Sequence, residues 1–311
     1  MNKMRRIILL SLLLLIVLGA CRLESEERTG PLHIVATTGI IEDALVNIVG
    51  DSAEVSALMG PGTDPHLYKP TPFDVELLEE ADVIVCNGLH LEGKMSEMLR
   101  KYGASKPVIE VAGTLTDKDL IQAIDAGDSY DSHIWFDPAI WVKGLAGVCA
   151  ELIKVEPENE AYYQKNFEKY KFKIDDMSIW VEKQIATLND SSKVLITSHD
   201  AFSYFGKKYG IEVRGIQGVS TLSEVGLKDI SQMVDFVIER QIPAIFVETS
   251  TSDKTAQAIL EGTKQKGFEL RLEGPLYSDA LGEPGGEAGT YIGMFKANVG
   301  MIVSALNNEN Q

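Results

Sequence analysis

Cysteine, histidine and positive charge are all scarce in this chain, and each scarcity removes a class of function. Only Cys21, Cys86 and Cys149 occur in 311 residues, so neither a disulfide-rich scaffold nor a cysteine-based zinc finger is available. Cys86 and Cys149 lie in apolar surroundings and are expected to be two buried free thiols, with one disulfide as the alternative. Lysine and arginine number 29 against 46 acids, a formal charge of −17; such a chain is repelled by nucleic acid and by anionic lipid headgroups, and weakly concentrates cations. Long apolar runs are absent apart from residues 7–18, which fall short of the roughly 20 residues that a membrane-spanning helix needs.

That run is informative for another reason. Lys3, Arg5 and Arg6 precede it and Leu18-Gly19-Ala20-Cys21 closes it, the order of a basic segment, an apolar segment and a small-residue cleavage site. The tetrapeptide resembles a bacterial lipobox, in which cleavage leaves the cysteine as an acylated N-terminus. Residues 1–20 are therefore expected to be a signal peptide, Cys21 the lipidation site and 21–31 a lipidated tether, with an incidental cysteine after an ordinary signal as the alternative. About 290 residues remain, and in a chain with 45% hydrophobic and 24% charged residues overall they suffice for two medium domains and a sizeable core.

Periodicity divides the remainder into two similar halves. Short β-rich runs at 33–38, 54–59, 83–87 and 108–112 alternate with helical spacing at 41–49 and 72–81. The pattern returns with runs at 194–198, 212–217, 244–249 and 269–273 and helices at 227–240 and 254–266. Such alternation predicts α/β units around parallel sheets, four strands per half. Between the halves, residues 157–188 lack glycine and any internal proline, and Pro157 suits a helix's first turn. One helix there would extend about 45 Å, a stiff strut limiting how far the halves hinge; two shorter helices are the alternative. The expected domains are 32–156, a linking helix at 157–189, and 190–311.

Five histidines can be weighed one by one. His66 sits in a Gly- and Pro-punctuated loop (60–70) directly after a predicted strand, His133 just before a helix start, and His199 at a strand's carboxyl end. Those are the places where open α/β sheets bind ligands, so the three are better placed to converge on a metal than histidines spread over helix surfaces. His90 follows a strand closely enough to be a rival, while His33 reads as a strand-edge residue. Asp279, in a turn-rich loop after the last strand, is a candidate carboxylate.

Five ordered motifs, residues 62–66, 132–138, 197–202, 215–221 and 277–282, together resemble the TroA-like family of metal-binding lipoproteins, the solute receptors of ABC-type zinc and manganese importers. The similarity runs from about Leu32 to Leu306. It implies an α/β fold of two (β/α)4 lobes joined by one long backbone helix, a metal site in the interlobe cleft, and four ligands: His66 and His133 from the first lobe, His199 and Asp279 from the second. It implies a structural role for the Asn-Gly-Leu-x-Leu-Glu segment that carries His90. It also implies partners, the permease and ATPase subunit of an ABC importer, and an extracytoplasmic, lipid-anchored monomer on the periplasmic or cell-surface side. The chain lacks the long His- and acid-rich loop of zinc-dedicated members, yet has His199 where many manganese-dedicated members carry glutamate. Three imidazoles and a carboxylate favour Zn²⁺, with Mn²⁺ or Fe²⁺ as alternatives. A zinc enzyme using Asp200 or Glu248 as general base, and a lipid-tethered adhesin with a structural metal, are the competing classes. With histidine's reference pKa of about 6.5, metal affinity is expected to fall between about pH 7 and 5.

Overall fold

A computed structural model of the chain describes residues 30–123 and 129–307; the expectations for residues 1–20 and for Cys21 lie outside the described residues. The first sheet holds β1 (Leu32–Thr38), β2 (Ala53–Met59), β3 (Val83–Cys86) and β4 (Val108–Glu110) in the order β2-β1-β3-β4, all parallel. The second repeats that topology with β5 (Val194–His199), β6 (Glu212–Gln217), β7 (Ala244–Glu248) and β8 (Arg271–Leu276) in the order β6-β5-β7-β8. Inner strands β3 and β5 are buried along their whole length, which is why they read as continuous apolar runs rather than alternating ones.

The helices flanking the first sheet are α1 (Gly39–Val49), α2 (Pro72–Glu80), α3 (Ser96–Tyr102) and α4 (Pro138–Val155). The long α5 (Glu160–Ile185) follows, and α6 (Ser203–Tyr209), α7 (Leu227–Glu239), α8 (Lys254–Gln265) and α9 (Tyr291–Asn307) complete the second half. The predicted strut is one unbroken helix but shorter than expected: its 26 residues extend about 39 Å. Pro157–Asn159 forms a separate 3₁₀ turn ahead of it, and a second such turn, Asp190–Ser192, follows it. Tyr163, Tyr170, Ile174, Met177, Val181 and Ile185 make its buried stripe, spaced three, four or seven apart as a helix with one buried face requires. Tyr170 donates to Asp43 on α1 (2.7 Å), and the same carboxylate accepts from the Tyr291 amide of α9 (3.2 Å), so the strut is bound to both ends of the described chain.

One hydrophobic cluster runs through both halves, from Leu32 and Val85 to Phe202, Phe295 and Leu306. Phe136 and Phe202 meet within it, ring centroids 4.3 Å apart. Strand limits differ from expectation mainly at β8, predicted at 269–273 and found at Arg271–Leu276. β8 is an edge strand, where Pro275 removes no hydrogen bond needed by a neighbour, so the strand passes through a Gly-Pro pair that reads locally as its end. Cys86 and Cys149 are both buried and free.

Candidate metal centre

Each candidate ligand leaves a strand end or the loop that follows it, and each loop has a local reason for its shape. After β2, Gly62 takes a left-handed conformation (φ 68°) that side chains other than glycine adopt at a cost. Asp64 Oδ1 then accepts from the His66 amide (2.8 Å) and the Leu67 amide (3.3 Å), a local turn typical of Asp. Thr71 and Asp74 close the loop with a reciprocal cap on α2. Asp131-Ser132-His133 repeats the device: Asp131 Oδ1 accepts from the His133 amide (2.9 Å) and also from ring Nδ1 (2.7 Å). Asn87 Nδ2 holds the Ser132 carbonyl (2.9 Å), while Glu92 accepts from the Asn87 amide and the Thr37 hydroxyl, both at 2.7 Å. The Asn-Gly-Leu-x-Leu-Glu segment therefore shapes the His133 loop, and His90 within it is exposed, with φ 63°.

His199 is the last residue of β5, and Glu248 the last of β7, the neighbouring strand. Both Glu248 oxygens are engaged there, Oε1 accepting from the His199 amide (2.9 Å) and Oε2 from ring Nδ1 (2.5 Å). Asp279 follows β8, and its Oδ2 accepts from Ser250 Oγ (3.3 Å). Trp135 Nε1 donates to the Ser278 carbonyl (3.0 Å), joining the loops of His133 and Asp279 across the two halves.

The four side chains His66, His133, His199 and Asp279 converge, every donor atom within 4.8 Å of the others, and all four residues are buried. His133 Nε2 lies 3.4 Å from His66 Nε2, 3.3 Å from His199 Nε2 and 3.3 Å from Asp279 Oδ1; His199 Nε2 lies 3.4 Å from Asp279 Oδ2. Bonds of 2.0–2.1 Å at tetrahedral angles place donors about 3.3–3.4 Å apart, so the spacing suits one small divalent ion at the centre. The carboxylates on Nδ1 of His133 and His199 fix the tautomers that leave both Nε2 lone pairs facing inward once the rings are neutral, the second-sphere arrangement of metal-binding histidines. Asp279 Oδ1 is buried without a hydrogen bond, a costly condition that a cation relieves. His33 lies outside the cluster, its ring nitrogen on Ser56 Oγ (3.2 Å).

Charge reinforces this geometry. Burial drives the His66 pKa down to about 3, with Asp279 opposing only in part. Burial pulls His133 the same way, but Asp131 and Asp279 outweigh it and raise the pKa to about 9. For His199, burial is again outweighed, here by Glu248 and Asp279, and the pKa rises well above its ordinary value. Burial would raise the pKa of Asp279, yet the His199 and His133 rings hold it well below the usual carboxylate range.

A family model described as "Zinc-uptake complex component A periplasmic" matches residues 34–305. The chain belongs to this family. It is 43% identical over 291 residues to the manganese-binding lipoprotein MntA of Bacillus subtilis, covering 93% of this chain and 95% of that one. It is 38% identical over 273 residues to the zinc-binding protein TroA of Treponema pallidum, covering 88% of each. The structure of that periplasmic zinc-binding protein superposes with a TM-score of 0.86 over 89% of this chain and 99% of its own. The two-lobed α/β fold is thus the TroA-like one, and the family consists of solute-binding receptors of ABC transporters rather than enzymes. Asp200 and Glu248 have other employment here: Asp200 accepts from Ser203 (2.7 Å) and Glu248 is committed to His199. Among the described residues no helix is long and apolar enough to cross a membrane.

Asp131 and Glu248 hold the rings of two candidate ligands, a role the sequence motifs do not name; Glu248 enters there only as a possible general base in the competing enzyme class. Asp131 carries a signal, since Asp64-Pro65-His66 and Asp131-Ser132-His133 share the Asp-x-His spacing. Glu248 carries none until the sheet order is known.

Proposed function

We propose that this chain is an extracytoplasmic receptor that binds one divalent transition metal through His66, His133, His199 and Asp279 and delivers it to the permease and ATPase subunit of an ABC importer. The observation that carries the reading is the buried set of three inward-facing imidazole nitrogens and one carboxylate at tetrahedral spacing. Zn²⁺ is bound more tightly than Mn²⁺ or Fe²⁺ in vitro, because a three-nitrogen, one-oxygen set at this spacing suits it and the Irving–Williams order places it above both. Both oxygens of Asp279 face the histidines, and a bidentate grip would raise the coordination number enough for Mn²⁺ or Fe²⁺. Relatives named for manganese and for zinc are both similar to this chain, so supply in the cell decides which ion is carried.

In this reading residues 1–20 are removed, Cys21 is acylated, 21–31 form the tether, and lobes 32–156 and 190–311 are joined by 157–189. The protein acts as a monomer. His66 and His133 come from one lobe, His199 and Asp279 from the other, so capture requires apposed lobes and release requires the permease to disturb that apposition. Elemental analysis of protein purified without chelator, with calorimetric titration of the parent and of Asp279→Ala, tests the proposal. One Zn²⁺ per chain, lost in the variant, is the expected result; equal binding by both proteins overturns it.

A further inference from the structure

The two Asp-x-His turns are alike in their backbone and differ in what the aspartate does next. Asp131 keeps both of its hydrogen bonds on its own histidine, through Oδ1. Asp64 uses Oδ1 for the His66 and Leu67 amides and turns Oδ2 across the cleft, where it accepts from Thr221 Oγ1 at 2.6 Å. Thr221 is itself held. Gln217 Nε2 donates to the Thr221 carbonyl (2.7 Å) and to the Ser223 carbonyl, and Gln217 ends β6 in register with His199 of β5. A continuous path therefore runs from one second-lobe ligand, His199, through Gln217, Thr221 and Asp64, to one first-lobe ligand, His66.

The two sides of the cleft are tied unequally. On the side of His133 the crossing bonds are buried: Trp135 Nε1 to the Ser278 carbonyl (3.0 Å), Tyr204 hydroxyl to the Asp131 carbonyl (3.0 Å) and Tyr291 hydroxyl to the Trp135 carbonyl (2.7 Å). On the side of His66 the Asp64–Thr221 bond joins two half-buried residues, and the neighbouring Leu67 is 41% exposed. The histidine on that side carries no carboxylate on its ring among the bonds that fix His133 and His199.

We infer that the Asp64–Thr221 hydrogen bond is a latch that positions His66, so that spontaneous loss of metal from the free receptor, as distinct from release to the permease, begins by unlatching this loop while the other three ligands keep their places. The inference rests on the four-ligand reading above. Among the described residues the Thr221 hydroxyl bonds Asp64 rather than a ligand side chain, so the latch controls how fast the ion leaves rather than how many ions bind.

Zinc release from the full mature protein, followed by stopped-flow against excess EDTA, tests it. Thr221→Val should raise the release rate about tenfold, the scale of a lost hydrogen bond to a charged group, and Thr221→Ser should restore the parent rate. Asp64→Asn, whose amide nitrogen can still donate to Thr221 Oγ1 but without the charge, should accelerate release by less, and the Asp64→Asn/Thr221→Val pair should be no faster than Thr221→Val alone, because both act on one interaction. All of them should still bind one Zn²⁺ per chain, and the metal-free melting temperature of Thr221→Val should stay within a degree or two of the parent. A release rate within twofold of the parent in Thr221→Val, or single effects that multiply in the pair, overturns the latch. Loss of zinc by none of the four ligand variants would instead overturn the site on which it rests.

Discussion

Proton competition gives the sharpest test of the metal centre, because burial and carboxylate neighbours have moved its histidines in opposite directions. A histidine must be neutral to donate its lone pair to a metal. His66, lowered to about 3, is already neutral at pH 7. His133, raised to about 9, is protonated there, and Glu248 and Asp279 shift His199 in the same direction. An arriving ion therefore displaces at least the proton of His133. Below a group's pKa each unit of pH changes the neutral fraction tenfold, so His133 alone changes affinity about tenfold per unit. Affinity rises with pH until it passes about 9 for His133.

The interval from pH 7 to 8 discriminates best. Three histidines at the reference value of about 6.5 would change affinity only about twofold there, whereas His133 at about 9 changes it about tenfold by itself. The expectation drawn from reference values, a fall confined to pH 7–5, is thus replaced by one that begins higher. Competition with a chelator of known affinity at pH 6, 7 and 8 reads the slope, and calorimetry in buffers of different ionisation enthalpy reads the proton count directly. A change below fivefold between pH 7 and 8, together with release of less than half a proton, would refute the electrostatic reasoning while leaving the ligand set intact.

Three further outcomes are expected. Zinc at a thousandfold excess over its Kd should stabilise the protein by about 4 kcal/mol, raising the melting temperature by about 10 °C at this size; alanine at His66, His133, His199 or Asp279 should abolish most of that shift, and alanine at His33 or His90 should not. His199→Glu combined with Glu248→Gln, which gives the new carboxylate a donor in place of a repelling neighbour, should lower the ratio of zinc to manganese affinity, and an unchanged ratio in competition titrations would show that residue 199 does not set selectivity. Cys21→Ser should move the protein from the membrane to the soluble fraction and remove the acyl mass, since two or more acyl chains give stable anchoring; membrane retention without any acyl mass on the parent would contradict this.

What could be read from the chain depended on how far apart the interacting residues lie. The inner strands β1, β3, β5 and β7 announce themselves because buried parallel strands are rich in Val, Ile and Leu, visible within a few residues. His66, His133 and His199 stand out through the idea that strand ends converge, which leaves His90 a rival until motif resemblance demotes it. The Asp-x-His turns are local enough to be legible, yet their two aspartates look identical in sequence and act differently in space. Asp131 turns to its own ring two residues on, whereas Asp64 reaches Thr221, 157 residues away. Glu248 lies 49 residues from His199, and only the order β6-β5-β7-β8 makes the two strand ends neighbours. Metal-ligand identity is thus a property of residue type and position along each strand, while the groups that aim those ligands and set their proton affinity are a property of sheet order. On the proposed four-ligand reading, a substitution that leaves those four residues in place is therefore expected to change the proton affinity of His199 through Glu248 and the rate of metal loss through Thr221.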